Sequence, residues 1–414
     1  MRGMTDSMTI GERVSWYRRR RGMSQKVLAD LVGRTEDWLN KIENNRIQLD
    51  RISVIQNLAT QLDITLGDLL SEPSLVDSTQ SSGKPTVPAL RETLLSYNQL
   101  MPFTRADSRS MQPIAQLEGR LRAVWDAYQS TRFAYVSASL PALIADLDAA
   151  SRSSLPSESE RATLLLASAY HAAATVLTKV GEIDLAWVAS QRGFDIAQQT
   201  DEPMTWLSLA RSVAHVTMST GRHKDAAILV GQIASHAGPA ANNASPEYLS
   251  VYGTLFLTGA MAAARTEDRG LTNEYLAESA AVAARLGRDA NYAWTAFGPT
   301  NVEIHKVSTA MELGDIETVL RIGPQIDATP LPTERQVRHS IELARANNAR
   351  GRRDQALSIV LSAEARAPEQ VRHQSLCRDL VVQWVRSSKT QPSSTLAGLA
   401  SRMNLLRIPY DGFA

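Results

Sequence analysis

Apolar residues recur at three- and four-residue spacing along almost the whole chain, and no stretch shows the strict alternation of a half-buried strand. The pattern predicts an all-α protein. Over residues 9–72 it comes in five short amphipathic runs punctuated by Gly22, Gly33 and Gly67. Ser24 and Thr35 stand where N-caps are wanted, each with a side-chain oxygen that can accept from an orphan backbone N–H of the helix it opens. The second run, about 24–32, is expected to turn Val27, Leu28 and Leu31 to a core and to end at Gly33, where a left-handed residue suits. The third, about 36–44, is expected to bury Leu39 and Ile42 and to leave Glu36, Asp37, Asn40 and Lys41 on its outer face. Residues 73–88, PSLVDSTQSSGKPTVP, hold almost nothing to bury and read as a flexible linker.

Residues 89–408 are rich in Ala and Leu. Polar breaks recur at KVGEID around Gly181, STGRHK around Gly221, RTEDRG around Asp268, ELGDIE around Gly314 and NARGRR around Gly351, about 40, 47, 46 and 37 residues apart. Each break separates two amphipathic runs, such as 161–179 from 183–199 and 203–219 from 223–236. A small residue follows several breaks at the same offset (Ala186, Ala226, Ala356), which lets paired helices approach closely. A period of this size marks stacked helical hairpins, an α-solenoid, in which each hairpin buries its apolar face only against its neighbours. Runs at about 89–101, 114–129 and 132–150 begin the array, and 394–406 caps it.

Composition narrows the class. An apolar fraction of 43% is that of a folded globular chain. No stretch is expected to be long and apolar enough to cross a bilayer, which takes about 20 residues. With no secretory signal at the N-terminus, the protein is expected in the cytoplasm, without a membrane partner. The single cysteine, Cys377, excludes an intrachain disulfide and a Cys-based zinc site, and reads as a small core hydrophobe. The net charge of +1 gives no basic field overall, but residues 18–51 hold nine Arg/Lys against five Asp/Glu. A local basic patch of this kind is what a small DNA-binding module needs.

The segment GMSQKVLADLVGRTEDWLNKIENN, residues 22–45, resembles the XRE (Cro/C1-type) helix-turn-helix family, and the five-helix frame of that family is present in order over 9–70. The resemblance implies double-stranded DNA as partner and assigns roles by position. Gln25 contacts phosphate and braces the recognition helix. Thr35, Glu36, Asp37 and Lys41 face base edges or the adjoining backbone, and Trp38 and Arg46 contact the backbone. Arg18 and Glu43 form a buried ion pair. Asn45 stands where the family often has glycine, and Asn tolerates the left-handed region. Two departures stand out. Arg34 replaces an apolar residue and could reach a phosphate. Glu36 and Asp37 put carboxylates where relatives carry Gln, Ser or Arg; they could accept from cytosine N4 or simply stabilise the positive helix N-terminus. Arg19–Arg21 could be a phosphate clamp or a solvated face.

A head of this type joined to tetratricopeptide-repeat-like hairpins resembles two groups in layout: the peptide-responsive quorum-sensing regulators of Gram-positive bacteria and a large set of actinobacterial regulators. That likeness implies a homodimer on a pseudo-palindromic operator, with residues 9–72 reading DNA and 89–408 binding a small-molecule or peptide effector and dimerising. Asn291, Trp294, Asn301 and His305, with Arg211 and His215, are the candidate ligand wall; Asn301 and His305 share one helix face at i and i+4. Each has a structural alternative, since helix-pair tryptophans are usually core and a histidine here can be an interface residue. No metal-ligand spacing, phosphate-binding glycine loop or nucleophile elbow is present, so no cofactor, metal or catalytic residue is expected. A protein-interaction scaffold tethered to DNA by its head is the alternative function.

Overall fold

The computed structural model describes residues 8–62, 64, 66–70, 87–96, 112–153, 155–241, 244–388 and 392–405. Among them there are twenty-one α-helices and no named strand. The head comprises α1 (Ile10–Arg20), α2 (Gln25–Leu31), α3 (Glu36–Glu43), α4 (Ile52–Gln61) and α5 (Leu66–Leu70). Then come α6 (Val87–Leu95), α7 (Ile114–Gln129), α8 (Phe133–Ala150), α9 (Pro156–Lys179), α10 (Ile183–Ala197), α11 (Pro203–Ser219), α12 (His223–Ala241), α13 (Pro246–Arg265) and α14 (Arg269–Leu286). A 3-10 turn at Tyr292–Trp294 leads to α15 (Pro299–Glu312), α16 (Ile316–Ile322), α17 (Thr333–Ala349), α18 (Arg353–Arg366), α19 (Pro368–His373), α20 (Ser375–Arg386) and α21 (Ser394–Arg402). Of the expected linker 73–88, residues 73–86 lie outside the described residues, and Val87 and Pro88 already belong to α6.

From α7 to α18 the helices are tetratricopeptide-like hairpins closed by tight turns, and the turns explain the polar breaks. At Gly181 (φ 83°) the chain enters the left-handed region, and the next N–H, of Glu182, donates back to Leu177 O at 2.9 Å. That bond satisfies a carbonyl the helix end would otherwise orphan. The same device closes α7 at Thr131 (φ 62°) and α13 at Glu267 (φ 61°), where no glycine marks the turn. This is why the α7–α8 turn left no polar break of the kind seen at Gly181. In the head, Asn45 (φ 56°) fills the slot after α3. Gly67, by contrast, lies inside α5 and punctuates nothing.

One expectation about membranes is corrected. Helix α8, Phe133–Ala150, is 18 residues long with mean hydropathy 1.2, enough by length and composition to cross a bilayer. Val136, Leu140, Leu143, Ile144 and Leu147 are buried in one core cluster with residues of α7 and α9, so its apolarity serves a helix packed on more than one side.

The described residues fall into two compact units. The repeat unit spans residues 78–306 and 326–336, and its cores join α6–α10 and α11–α14. The head unit spans residues 1–77, 307–325 and 337–414. The head therefore forms one body with C-terminal helices that lie over 200 positions away in sequence. Leu376 of α20 enters the head's own core beside Ile10, Leu28, Leu39, Ile55 and Leu58. Two carboxylates from the C-terminal helices cap head helices: Ile10 N donates to Asp379 Oδ1 at 3.0 Å, and Ile52 N donates to Glu312 Oε2 at 3.1 Å. The second is the side-chain cap that α4 lacks locally, since Arg51 supplies none. Arg345, 2% exposed, donates to Asp50 O and pairs with Glu342 at 2.5 Å and Glu312 at 3.7 Å. Burial opposes its charge, but Glu342, Glu312 and Asp50 outweigh that and raise its pKa. Arg386 pairs with Glu12, and Asn348 bridges Gln48 of the head to the Trp384 indole. Cys377 is fully buried in the C-terminal core, and burial pushes its thiol up to about 12.

Replacing Arg345 with Met should strand Glu312 and Glu342 without their counter-ion and cost about 3–5 kcal/mol, the usual loss when one partner of a buried pair is removed. Urea unfolding checks this; an unchanged midpoint would mean the carboxylates tolerate the loss. Burial pushes Asp379 up to about 6, above the roughly 3.9 of an unfolded Asp. The folded state thus holds this proton more tightly, so the Asp379 contribution is greatest at acid pH and falls as pH rises through about 6. The stability difference between wild type and Asp379→Asn should follow that fall and level off above it; a difference independent of pH would refute the assignment.

Candidate DNA-reading face and ligand-facing cluster

The recognition helix is α3, and it is built from the residues upward. Thr35 Oγ1 caps it by accepting from Trp38 N at 3.2 Å. Leu39 and Ile42 are buried in the head core, as their spacing predicts. Gly11 is needed where α1 crosses the end of α3, because any side chain there would overlap the Ile42 carbonyl. Helix α2 departs from expectation: Leu28 and Ala29 are buried, while Val27 and Leu31 are 48% and 49% exposed. At 100° per residue those two lie about 40° apart and, on average, about 130° from the direction midway between Leu28 and Ala29, and the short helix can present only one stripe inward.

Arg18 and Glu43 form the buried pair that ties α1 to the end of α3, with Nε–Oε1 at 2.5 Å and Nη2–Oε2 at 2.7 Å. Gln25 Nε2 donates to the same carboxylate at 2.8 Å, and its Oε1 accepts from Asn40 Nδ2 at 3.3 Å. Gln25 therefore braces the recognition helix from the first position of α2. Burial disfavours the Glu43 charge, but the Arg18 and Gln25 hydrogen bonds win and hold its carboxyl below the ordinary range.

The outward residues are placed as follows. Arg34, Thr35, Glu36, Asp37 and Arg46 are exposed; Gln25, Trp38, Asn40 and Lys41 are half-buried. Lys41 Nζ lies 2.5 Å from Asp37 Oδ2, one turn away, so one of the two N-terminal acids carries its own counter-ion. The Arg34 guanidinium lies over the Trp38 ring at 5.8 Å. Arg19, Arg20 and Arg21 are exposed at the end of α1, with Arg20 over Trp16 at 5.2 Å. The face thus has an acidic tip at Glu36 and a basic surround, a charge distribution suited to a phosphate-flanked groove.

In the repeat unit the structure divides the candidate ligand wall. Asn291 exchanges two hydrogen bonds with Gln129 of α7, at 2.8 and 2.7 Å, and accepts from Ala296 N. Trp294 donates its indole N–H to Asp126 at 2.9 Å and stacks on Trp125, centroids 5.8 Å apart. Trp125 in turn meets His171 edge-on at 5.0 Å, and His171 Nε2 lies 3.4 Å from Arg211 Nη2. Asn291, Trp294 and Arg211 are thereby linked in one cluster through Trp125 and His171. His215 is half-buried one turn beyond Arg211 on α11. Asn301 and His305 do share a face of α15. His305 Nδ1 contacts Asn301 O at 2.8 Å, a within-helix bond that gives this histidine a structural partner. Asn301 is fully buried, and neither amide atom has a partner among the described residues. Trp187 and Trp206 pack against the repeat cores. Trp125, Gln129 and Arg335 were missed as members of the cluster. The WDAYQ run at 125–129 was the only available signal, and nothing local in the sequence ties Arg335 to Arg211.

Glu43→Ala should cost stability rather than DNA specificity, about 3–5 kcal/mol, because it strands buried Arg18. The wild-type contribution is present above the roughly 4.3 of an unfolded Glu and is lost as pH falls through the lower folded value. Thermal unfolding beside DNA binding checks this, and an unchanged melting temperature would sink the pairing.

No curated protein matches the sequence. Among solved structures, the chain is similar to Bacillus thuringiensis PlcR, crystallised with the peptide PapR7 and DNA, at 13% identity and TM-score 0.36, covering 88% of this chain and 99% of that one. It is also similar to a kinesin light chain from Podospora anserina with nearly identical TPR-like repeats, at 19% identity and TM-score 0.33, covering 48% of this chain and 92% of that one. Residues 9–72, the span of α1–α5, match the family described as a helix-turn-helix domain.

Proposed function

We propose that the chain is a sequence-specific transcriptional regulator of the XRE type, in the layout seen among actinobacterial regulators. In this reading residues 9–72 read DNA, and the helical-repeat region that begins at α6 binds a small-molecule or peptide effector and forms a homodimer. The observation that carries it is the recognition helix: α3 presents Thr35, Glu36 and Asp37 to solvent at its N-terminal end, with Arg34 and Arg46 exposed beside it. Polar groups at the leading end of such a helix are what major-groove readout requires, and the flanking arginines supply phosphate contacts. Two heads of a homodimer would occupy half-sites about one helical turn apart.

The gating half of the proposal rests on how the head is held. Its α1 and α4 are capped by Asp379 and Glu312, which belong to the C-terminal helices. Those helices thus hold the starts of α1 and α4. An effector can shift DNA affinity only if it binds one arrangement better than another.

Selection of bound fragments from a genomic library gives the operator. On it, Lys41→Ala should weaken binding by about 1–3 kcal/mol if Lys41 reads a base. Equal loss on random DNA would mark Lys41 as a phosphate contact. The logarithm of affinity should fall with the logarithm of salt concentration, with a slope of about −0.9 per phosphate neutralised; a flat response would exclude DNA as the partner.

A further inference from the structure

Buried arginines of the head unit follow one rule. Arg18 has Glu43, Arg345 has Glu342 and Glu312, and Arg13 donates to the Leu69 and Met8 carbonyls. Arg211 in the repeat unit breaks it. Its Nε is buried without a hydrogen-bond partner, as is that of Arg345, but where Arg345 has carboxylates the one hydrogen bond of Arg211 among the described residues is to the ring of His171. Among the described residues the groups acting on it are another cation, Arg335, and in the opposite direction the phenol of Tyr128, and no carboxylate is among its partners. Burial and that repulsion lower its pKa to about 10. Glu334 is already committed to Lys179 at 2.5 Å and to Arg335 at 3.4 Å, and Asp126 to the Trp294 indole. Desolvating a guanidinium without a counter-ion is costly, so a chain that keeps one has a use for it.

We propose that Arg211 anchors a subsite for a carboxylate-bearing ligand, with the Trp125–Trp294 stack as the wall for the ligand's apolar body. His171 fixes the guanidinium. Burial and Arg211 push its pKa down to about 3, so the ring is neutral and Nε2 accepts from Arg211 Nη2. That leaves other N–H groups of the planar fork for two carboxylate oxygens, the bidentate geometry that a guanidinium matches and an ammonium does not. The wall is held under backbone strain: Ala293, Trp294 and Ala296 all have positive φ (47°, 52° and 50°), and Asn291 and Gln129 hydrogen bonds keep the turn in place. Strain of this kind persists where surrounding contacts over-determine it, which is frequent at ligand clamps. The carboxylate could belong to a small acid or to the C-terminus of a peptide. The inference deepens the effector reading and rests on it.

The test uses the full-length protein without DNA. Tryptophan emission and thermal unfolding are followed against benzoate and against random tetrapeptides with free or amidated C-termini, at constant ionic strength. Binding by benzoate, or by free-acid but not amidated peptides, supports the subsite and tells small acid from peptide end. In Arg211→Lys the affinity should drop about tenfold or more, since the fork is lost but the charge kept. In Arg211→Met the response should vanish, while the ligand-free melting temperature stays level or rises, because an uncompensated charge is gone. No response to any carboxylate, an equal response in Arg211→Met, or an equal response to sodium chloride, which would mean an adventitious ion only, overturns the proposal. DNA affinity is measured separately: carboxylate binding that leaves it unchanged keeps the subsite and refutes effector gating.

Discussion

A guanidinium removed from water has to be surrounded by acceptors, and in the head unit that requirement organises a whole body. Arg345 draws Glu312, Glu342 and the Asp50 carbonyl to one point. Glu312 then reaches the first N–H of α4, and its own carbonyl accepts from Arg51 Nε at 2.6 Å. One buried charge thereby determines where α4 begins and what it leans on. The head's small core is completed in the same way, by Leu376 from α20. Small domains bury a modest fraction of their surface, so borrowed caps and a borrowed core residue matter more here than in a large one.

The reading face shows a different use of charge. Glu36 and Asp37 stand at the positive end of α3, where the helix dipole favours them, and Lys41 partly neutralises Asp37. Glu36 keeps no such partner on its helix. The basic groups that a polyanion needs lie around this tip, at Arg19–Arg21, Arg34 and Arg46, all exposed. Beneath them the Arg18–Glu43–Gln25–Asn40 chain of hydrogen bonds holds the recognition helix from behind. The side chains that hold α3 from behind and those it turns to solvent are therefore separate members of the same short segment.

Arg345 and Arg211 make an instructive contrast. Arg345 is fully buried, and Arg211 is half-buried with its Nε shut off from water. One is satisfied by carboxylates of its own chain and is a structural hub. Among the described residues the other has the His171 ring as its one hydrogen-bond partner and is acted on by Arg335 and Tyr128.

Local information was enough for much of this. Helical periodicity gave the all-α class and the hairpin turns; Ser24 and Thr35 gave the starts of α2 and α3; positional resemblance gave the Arg18–Glu43 pair. Each depends on neighbours a few residues apart or on a compact motif. What eluded the sequence depends on contacts between distant positions: Asp379 over Ile10, Glu312 over Ile52, Leu376 in the head core, Trp125 between Trp294 and His171. The exposure of Val27 and Leu31 belongs with these, since apolar spacing alone cannot say which stripe of a seven-residue helix the core has room for. The sequence by itself determined that there is a DNA-binding head and a helical array. Only the tertiary structure decided that the head shares one body with the C-terminal helices and that Arg211 stands without a counter-ion among the described residues, because a charge is defined by what surrounds it in space.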